Sequence, residues 1–233
     1  MNRPLYMQAY DAILARIASG DLGPGAMLPS EFDLGAELNV SQGTARKALG
    51  ELERAGVVER RQGKGTFVAK TTTESALFQF FRLREETGAQ VLPELIEETV
   101  TKRKTTAAER KAFDADHSDA FVITRLRGIA GHAAMREVSV VPTALFPGLK
   151  DRAPLPNTLY AMYQSAYGIA VVRAAEHLIA VAASAEDAGL LGVAEDTPLL
   201  EARRRAIDIS GRVVEVRISR YLTEDLVYDV VLR

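Results

Sequence analysis

Two short stretches of the sequence place basic and hydrogen-bonding side chains where they could contact a polyanion. In the first, five such residues fall at the start of a predicted helix: Ser41, Gln42, Thr44, Arg46 and Lys47. In the second, RQGKGTF, the basic residue Lys64 is flanked by glycines. Arginine can pair with guanine edges and glutamine with adenine, while serine and threonine can reach phosphates or thymine methyl groups. These residue types favour recognition of double-stranded DNA.

The elements that must position these side chains can be predicted from caps and periodicity. Apolar residues at helical spacing predict a first helix that ends near Gly20. Ser30 is a predicted N-cap of a short second helix, Ser41 is the N-cap of the third, and Gly56 ends that third helix. The stretch VVERRQGKGTFVA then predicts a β-hairpin with a glycine-rich tip. Three helices closed by a hairpin describe a winged helix-turn-helix, whose third helix can enter the major groove.

An exposed row of Arg and Lys on an amphipathic helix has a simpler interpretation, because such a face is usually only solvated. The conjunction of helix order, caps, a short turn and a hairpin with small residues at its tip favours DNA binding over that interpretation. Glycines at the tip let the hairpin backbone approach a phosphate ridge, and Arg60, Arg61 and Lys64 supply positive charge.

The second half of the chain alternates in the manner of β-strands that carry buried charges. Arg125 and Arg127 share one strand face with apolar residues, Glu137 lies on another strand, and Glu215 and Tyr221 lie on a third. Burying an unpaired charge is costly, so the arginines either pair permanently with Glu137 or Glu215, or leave donors for an anionic ligand. Strand alternation alone favours the ion pairs and leaves both interpretations open.

A weak internal repeat suggests two related hairpins in one antiparallel sheet. Arg125-x-Arg127 precedes Glu137 by the spacing at which Arg203-x-Arg205 precedes Glu215. Alternation also places Val213 on the same strand face as Glu215. Further helices are predicted between these strands, two of them starting at the N-caps Thr106 and Ser184. The predicted fold class is α+β, with helices packed on an antiparallel sheet.

Composition excludes several function classes. The 233 residues have a formal net charge of −2, no cysteine and three widely separated histidines. We therefore expect no disulfide, no metal site, no catalytic residue and no cofactor, since a phosphate-binding loop and a nucleophile elbow are also missing from the sequence. No apolar stretch is long enough to span a membrane, so a soluble cytoplasmic protein is expected. The polar stretch KTTTESA divides the chain into residues 1–70, a linker at 71–76, and residues 77–233.

Roughly residues 4–70 closely resemble the DNA-binding domain of GntR-family bacterial transcription regulators, from LPSE through RKAL to GKGTFV. The resemblance implies DNA contacts by eleven residues: Ser30, Ser41, Gln42, Thr44, Arg46, Lys47, Arg61, Gly63, Lys64, Gly65 and Thr66. Phe32 and Gln42 stand where the family usually has arginines. The family's usual operator sequence is therefore not carried over to this chain.

Most of residues 77–233 resembles the UTRA effector-binding module of the HutC subfamily, in pieces such as REVSVVPTALFPGL and TLYAMYQSAYGI. The resemblance implies a chorismate-lyase-like fold that binds a small, anionic metabolite. It implies a set of effector-binding residues: Arg125, Arg127, Glu137, Thr158, Glu215 and Tyr221. Leu222 and the run Phe80-Phe81-Arg82 depart from the family pattern and leave the ligand's identity open.

Together the two resemblances imply a homodimeric transcriptional repressor whose operator binding is controlled by a metabolite. The alternative is a chorismate-lyase-like enzyme fused to a DNA-binding module. Fold alone does not establish that activity, and a regulator accounts for both halves of the chain.

Overall fold

A computed structural model of the chain describes residues 3–71 and 80–230, so residues 72–76 of the predicted linker lie outside the described residues. The N-terminal part has three helices followed by a hairpin. The elements are α1 (Leu5–Ala18), α2 (Glu31–Glu37), α3 (Gln42–Arg54), β1 (Val58–Arg61) and β2 (Gly65–Val68). This order confirms the predicted winged helix-turn-helix.

The predicted helix starts are confirmed by side-chain caps. Ser30 accepts a hydrogen bond from the backbone N–H of Asp33, and Ser41 accepts one from that of Thr44. The turn between α2 and α3 is tight at Gly35, where an added Cβ would lie 2.9 Å from the carbonyl oxygen of Val40. A glycine at this position therefore lets the two helices meet closely, as the predicted motif requires.

The C-terminal part contains the remaining strands and helices. Its strands are β3 (Leu83–Glu85), β4 (Glu94–Lys104), β5 (Asp119–Ile129), β6 (His132–Pro142), β7 (Val171–Ala182), β8 (Pro198–Asp208), β9 (Val213–Tyr221) and β10 (Leu226–Tyr228). Its helices are α4 (Ala107–Phe113), the 3₁₀ turn Leu149–Arg152, α5 (Leu159–Tyr167) and α6 (Ala185–Leu191). Six strands form one antiparallel sheet in the order β4-β5-β6-β9-β8-β7, and β3 pairs with β10. The α+β prediction is confirmed.

The six-stranded sheet has two differently covered faces. Helix α5 packs on one face, which we call the inner face, where Tyr163 lies against Ile123 and Val214 in the largest apolar cluster. The outer face is covered by α4 at one end, through Phe113, and by α6 at the other, through Leu191. The inner face also carries buried charged side chains that were predicted to share strand faces with apolar residues, among them Arg125, Arg127 and Glu215.

One detail of the predicted strand faces is wrong. A bulge in the pairing of β8 with β9 separates Val213 from Glu215, so that Val213 packs on the outer face with Phe113. The two hairpins of the predicted repeat do form, but Arg203 and Arg205 are exposed on the outer face. The buried residue between them is Arg204, because alternate residues of a strand point to opposite faces and Arg204 is the one that points to the inner face.

The two parts of the chain touch each other. Ile209, beyond the end of β8, is buried against the apolar core formed by α1, α2 and α3, and Val172 packs on the same core. The side chain of Gln164 on α5 accepts a hydrogen bond from the backbone N–H of Thr71 at 2.7 Å. Within the described ranges, no helix is both long and apolar enough to cross a bilayer.

Candidate functional site

The first candidate site is the exposed face of α3. Ala45, Ala48, Leu49 and Leu52 bury one side of this helix in the N-terminal core. The opposite side leaves Gln42, Arg46 and Lys47 exposed to solvent. The helix is therefore anchored by small and aliphatic residues, and its first two turns present hydrogen-bonding groups outward.

Surface contacts hold the two basic side chains of this face in place. The Nε of Arg46 donates to the Glu31 carboxylate at 2.8 Å, and the Arg46 side chain remains 62% exposed. The Lys47 ammonium lies 3.9 Å from the centre of the Tyr6 ring. Exposed ion pairs of this kind stabilise by about 0–1 kcal/mol, so Arg46 can exchange its carboxylate partner for a nucleic-acid group at little cost.

The β1–β2 hairpin contacts α3 through Arg60, which donates to the carbonyl of Arg46 at 3.5 Å. Gly63 and Gly65 adopt φ values of 71° and 115°, which residues with a Cβ rarely adopt. Lys64 between them is exposed, and its backbone N–H donates to the carbonyl of Arg61 at 2.9 Å. Arg61 itself lies over the Phe67 ring at 4.6 Å and pairs with Glu59. Thr66 is half-buried at the start of β2.

The remaining predicted contact residues have local structural roles as well. Ser30 and Ser41 are the two N-caps described above, and the Oγ atoms of Ser41 and Thr44 lie 2.9 Å apart. Their hydroxyl groups therefore organise the helix starts, while the side chains one turn further along α3 point outward.

The second candidate site is a cavity between the inner face of the sheet and the start of α5. It is lined by four arginines from three strands, by residues before and at the start of α5, and by two phenylalanines: Arg125, Arg127, Arg204, Arg217, Asn157, Thr158, Leu159, Tyr160, Phe80 and Phe81. Three of the predicted effector-binding residues, Arg125, Arg127 and Thr158, are among them. Convergent donors and an aromatic wall are features of sites that bind small ligands.

Each arginine of the cavity is held by a carboxylate. Arg125 pairs with Glu98, Arg127 with Glu137, Arg204 with Glu176, and Arg217 with both Glu137 and Glu215. The permanent ion pair predicted for Arg127 and Glu137 is present, with 3.0 Å between Nη1 and Oε2. For Arg125, neither predicted carboxylate is the partner, because Glu98 on the neighbouring strand β4 is closer.

Two donors of the cavity are engaged with the loop that precedes α5. Arg125 donates to the carbonyls of Pro156 and Asn157, and Arg127 donates to the side-chain oxygen of Asn157 at 2.7 Å. The Nε of Arg127 is buried and has no hydrogen-bond acceptor among the described residues. A buried guanidinium N–H without an acceptor is unusual and is satisfied at low cost by a ligand oxygen.

Glu137, Glu215 and Tyr221 lie in the layer beneath the cavity wall. Burial alone would raise the pKa of Glu137, but the positive charges of Arg127 and Arg217 prevail and lower it to about 2. Burial, reinforced by the charge of Glu137, raises the pKa of Tyr221 to about 12. Glu215 accepts hydrogen bonds from the hydroxyls of Tyr160 and Tyr163. The two carboxylates hold Arg127 and Arg217 in position, and Tyr221 packs in an apolar cluster with Phe81.

Several lining residues were not predicted as site residues. Arg217 shares a strand face with Glu215, so alternation could have identified it, whereas Arg204 is hidden in the run Arg203-Arg204-Arg205. Asn157 and Tyr160 come from the loop and the helix beside Thr158, and no sequence spacing reveals that this segment lies over the sheet. Burial, reinforced by Glu215, raises the pKa of Tyr160 to about 12.

Helix α5 extends from the cavity to the N-terminal part of the chain. Thr158, at its start, lines the cavity, and Gln164, two turns later, contacts residues at the end of the hairpin. Gln164 accepts from the N–H of Thr71 and donates to the carbonyl of Ala69 at 3.4 Å. One short helix therefore contacts both the ligand cavity and the segment that follows the hairpin.

Comparison with known proteins gives matches to both parts of the chain. Residues 5–68 match the family described as bacterial regulatory proteins, gntR family, and residues 94–226 match the UTRA domain. The chain is 27% identical over 238 residues to the mannosyl-D-glycerate transport/metabolism system repressor MngR of Escherichia coli, covering 96% of this chain and 94% of that protein.

Two further similarities cover nearly the whole chain. The histidine utilization repressor of Klebsiella aerogenes is 31% identical over 238 residues, covering 94% of this chain and 92% of the repressor. The crystal structure of PhnF from Mycobacterium smegmatis superposes with a TM-score of 0.57 at 25% identity, covering 95% of this chain and 98% of that one. The similarities therefore extend across both candidate sites.

Proposed function

Because the chain belongs to the gntR family of bacterial regulatory proteins and carries a UTRA domain, we propose that it is a transcriptional repressor that binds a double-stranded DNA operator and is released by a small anionic metabolite. Relatives named as repressors match almost its full length, which supports this assignment. Such a regulator acts where the chromosome is, in the bacterial cytoplasm.

The DNA-binding role rests on the geometry of α3 and the hairpin. Gln42 and Arg46 are exposed on the first turns of α3 and can reach base edges in the major groove. Lys64, at the glycine-flanked tip, can approach a phosphate, and Lys47 adds positive charge on the same face. The eleven residues predicted from the sequence form this proposed surface, with the cap hydroxyls of Ser30 and Ser41 at its margin.

The observation that carries the ligand-binding role is the convergence of four arginines on one cavity. They come from three strands, and their ion pairs hold the guanidinium groups in place before a ligand arrives. The Nε of Arg127, which has no acceptor among the described residues, is a donor available to an anion. Phe80, Phe81 and Tyr160 provide an apolar wall for the remainder of the metabolite.

The ionisable groups in the cavity wall and in the layer beneath it favour binding over catalysis. The pKa of Glu137 is lowered to about 2, and those of Tyr160 and Tyr221 are raised to about 12. A general acid or base works best with a pKa near the operating pH, and none of these three groups meets that condition at neutral pH. We therefore propose no enzymatic activity for this chain.

The proposed regulator has two domains, residues 1–70 and 77–233, and acts as a homodimer. A single winged helix reads only a few base pairs, so a symmetric pair of heads on two half-sites gives useful affinity. Strand β7 is a twelve-residue edge strand that pairs only with β8 among the described residues. Its free edge, with Leu178 and Ile179 partly exposed, is a suitable surface for association of two copies.

Two measurements test the proposal. Double-stranded DNA selected from a random library by the full chain should contain an inverted repeat, and fluorescence anisotropy should then give tight, salt-dependent binding. A thermal-shift screen of phosphorylated and carboxylated metabolites should identify a compound that raises the melting temperature and releases the selected duplex. Failure to enrich any sequence, or stabilising compounds that are all neutral or cationic, would contradict the DNA-binding and ligand-binding roles respectively.

A further inference from the structure

Phe32 is the most exposed large apolar side chain of the residues that the structure describes. It is the second residue of α2 and is 71% exposed. It lines a shallow concave surface together with Leu5, which is 59% exposed, and with Gln42 and Thr44 at the start of α3. The exposed phenyl ring is therefore next to the side chains that we assign to base recognition.

The position of Phe32 suggests why this ring is exposed. A single exposed apolar residue needs no explanation, but here Ala36 and Val40 extend the apolar lining into a patch. The patch is continuous with the basic face of α3, where Arg46 and Lys47 point outward. A partner that combines negative charge with small apolar groups would match this combination.

Duplex DNA has that combination in its major groove. Each thymine presents a 5-methyl group there, and phenylalanine is among the side chains that contact it. The carboxylate of Asp33 directly follows Phe32, is exposed and accepts a hydrogen bond from the Ser30 hydroxyl. Its negative charge would repel phosphates, which favours base edges over the backbone as the contact of this ring.

We propose that Phe32 is a specificity-determining residue that contacts the 5-methyl group of a thymine next to the base pair read by Gln42. This inference rests on the proposed DNA-binding function and extends it. It assigns an apolar contact at this position of each half-site, beside the hydrogen bonds made by Gln42. Each half-site should then contain one position where thymine is strongly preferred.

The test uses the duplex selected by the full-length chain. Each thymine of one half-site is replaced in turn by deoxyuridine, which lacks only the 5-methyl group. For the wild-type chain, one replacement should weaken binding about threefold to tenfold, the expected scale for one buried methyl contact. The variant Phe32→Ala should bind the original duplex correspondingly more weakly and should no longer distinguish thymine from deoxyuridine at that position.

Two matched variants control for non-specific effects. Phe32→Leu keeps an apolar side chain and should retain part of the sensitivity to deoxyuridine. Leu92→Ala removes a side chain that is 65% exposed outside the winged helix and should leave DNA binding unchanged. The melting temperature of Phe32→Ala should equal that of the wild type, because the ring is mostly in solvent.

The outcomes separate this inference from the proposed function. If no duplex is enriched at all, the DNA-binding function is wrong. If a duplex binds but Phe32→Ala keeps the full thymine preference, the DNA-binding function stands and the role of Phe32 is overturned. The role is also overturned if Phe32→Ala alters self-association in sedimentation while deoxyuridine sensitivity is unchanged, since the patch would then join two copies of the chain.

Discussion

Arg125 forms its buried ion pair with Glu98 on β4, with 2.6 Å between Nη2 and Oε2, although Glu137 lies directly opposite it on β6. Glu98 also accepts the backbone N–H of Leu155 at 2.9 Å. The pair therefore joins the edge of the sheet to the segment that leads into α5. Glu137 instead forms ion pairs with Arg127 and Arg217, so each cavity arginine has a different set of carboxylate partners.

Replacing Arg125 by alanine should affect both stability and ligand response. The change leaves the carboxylate of Glu98 buried without its partner, which costs about 3–5 kcal/mol for a buried pair. We expect a lower melting temperature together with loss of ligand-induced release from DNA. Calorimetry and anisotropy on the same preparation, each with and without the metabolite found by screening, measure the two effects.

A double variant separates the two effects of Arg125. In Arg125→Ala/Glu98→Gln the unpaired charge is removed, so most of the stability should return while the ligand response stays lost. Arg203→Ala is the matched control, because Arg203 is a mostly exposed strand arginine on the outer face. A double variant that responds to ligand as the wild type does would show that Arg125 has only a structural role.

Glu137→Gln should change the pH dependence of stability. The pKa of Glu137 is lowered from its ordinary value of 4.5 to about 2 in the folded chain. Its ionised form therefore stabilises the fold above pH 4.5, and this contribution is lost as the pH falls towards 2. The variant should melt below the wild type by roughly 10 °C at pH 7, on the scale of a broken buried pair.

The difference between the two melting temperatures should shrink steadily below pH 4.5. Glu186→Gln is a suitable control, since the Glu186 side chain is 65% exposed in its pair with Arg136 and should contribute about 0–1 kcal/mol. A gap between wild type and Glu137→Gln that stays constant down to pH 2 would mean that the charge of Glu137 is not the stabilising feature.

Most of the fold could be predicted from local signals in the sequence. Ser30, Ser41, Thr106 and Ser184 cap the helices that they were predicted to cap, because capping depends on a few neighbouring residues. Strand faces were predictable wherever alternation is unbroken. At Val213 the prediction failed, since a bulge depends on the pairing of two strands and leaves no signal in one of them.

The candidate ligand cavity could be predicted only in part. Arg125 and Arg127 were identifiable because two charges recur at strand spacing among apolar residues. Their partners were not all predictable: Glu98 comes from a strand whose register against β5 is set by tertiary packing. The same holds for Asn157, which reaches the arginines only because the loop before α5 folds over the sheet.

Arg46 and Lys64 should contribute to DNA binding in different ways. Arg46→Ala should cost about 1–3 kcal/mol on the selected operator and relax specificity at one position of each half-site, because it removes a base contact. Lys64→Ala should weaken all duplexes alike and reduce the slope of log affinity against log salt by about one. Fluorescence anisotropy over a salt series, with variants of the operator, distinguishes the two contributions. If Arg46→Ala leaves the operator preference unchanged, the assignment of α3 to the major groove is wrong.

Dimeric binding predicts a strong dependence on two half-sites. Because each head contacts only a few base pairs, a duplex with one half-site should bind the full chain at least about tenfold more weakly than the intact inverted repeat. Sedimentation should show a dimer in the absence of DNA. A monomeric chain that binds single and double sites with equal affinity would contradict the proposed assembly.

Gln164→Ala should uncouple the two sites while leaving each of them functional. Gln164 joins α5 to Thr71 and Ala69, and the start of α5 lines the ligand cavity. Metabolite affinity and operator affinity, measured separately, should each stay close to wild type, whereas the factor by which ligand weakens DNA binding should fall from about 5–150-fold towards one. Ser165→Ala, an exposed change on the same helix, should preserve the coupling. If Gln164→Ala retains the full ligand effect on operator affinity, the signal between the sites does not pass through this contact.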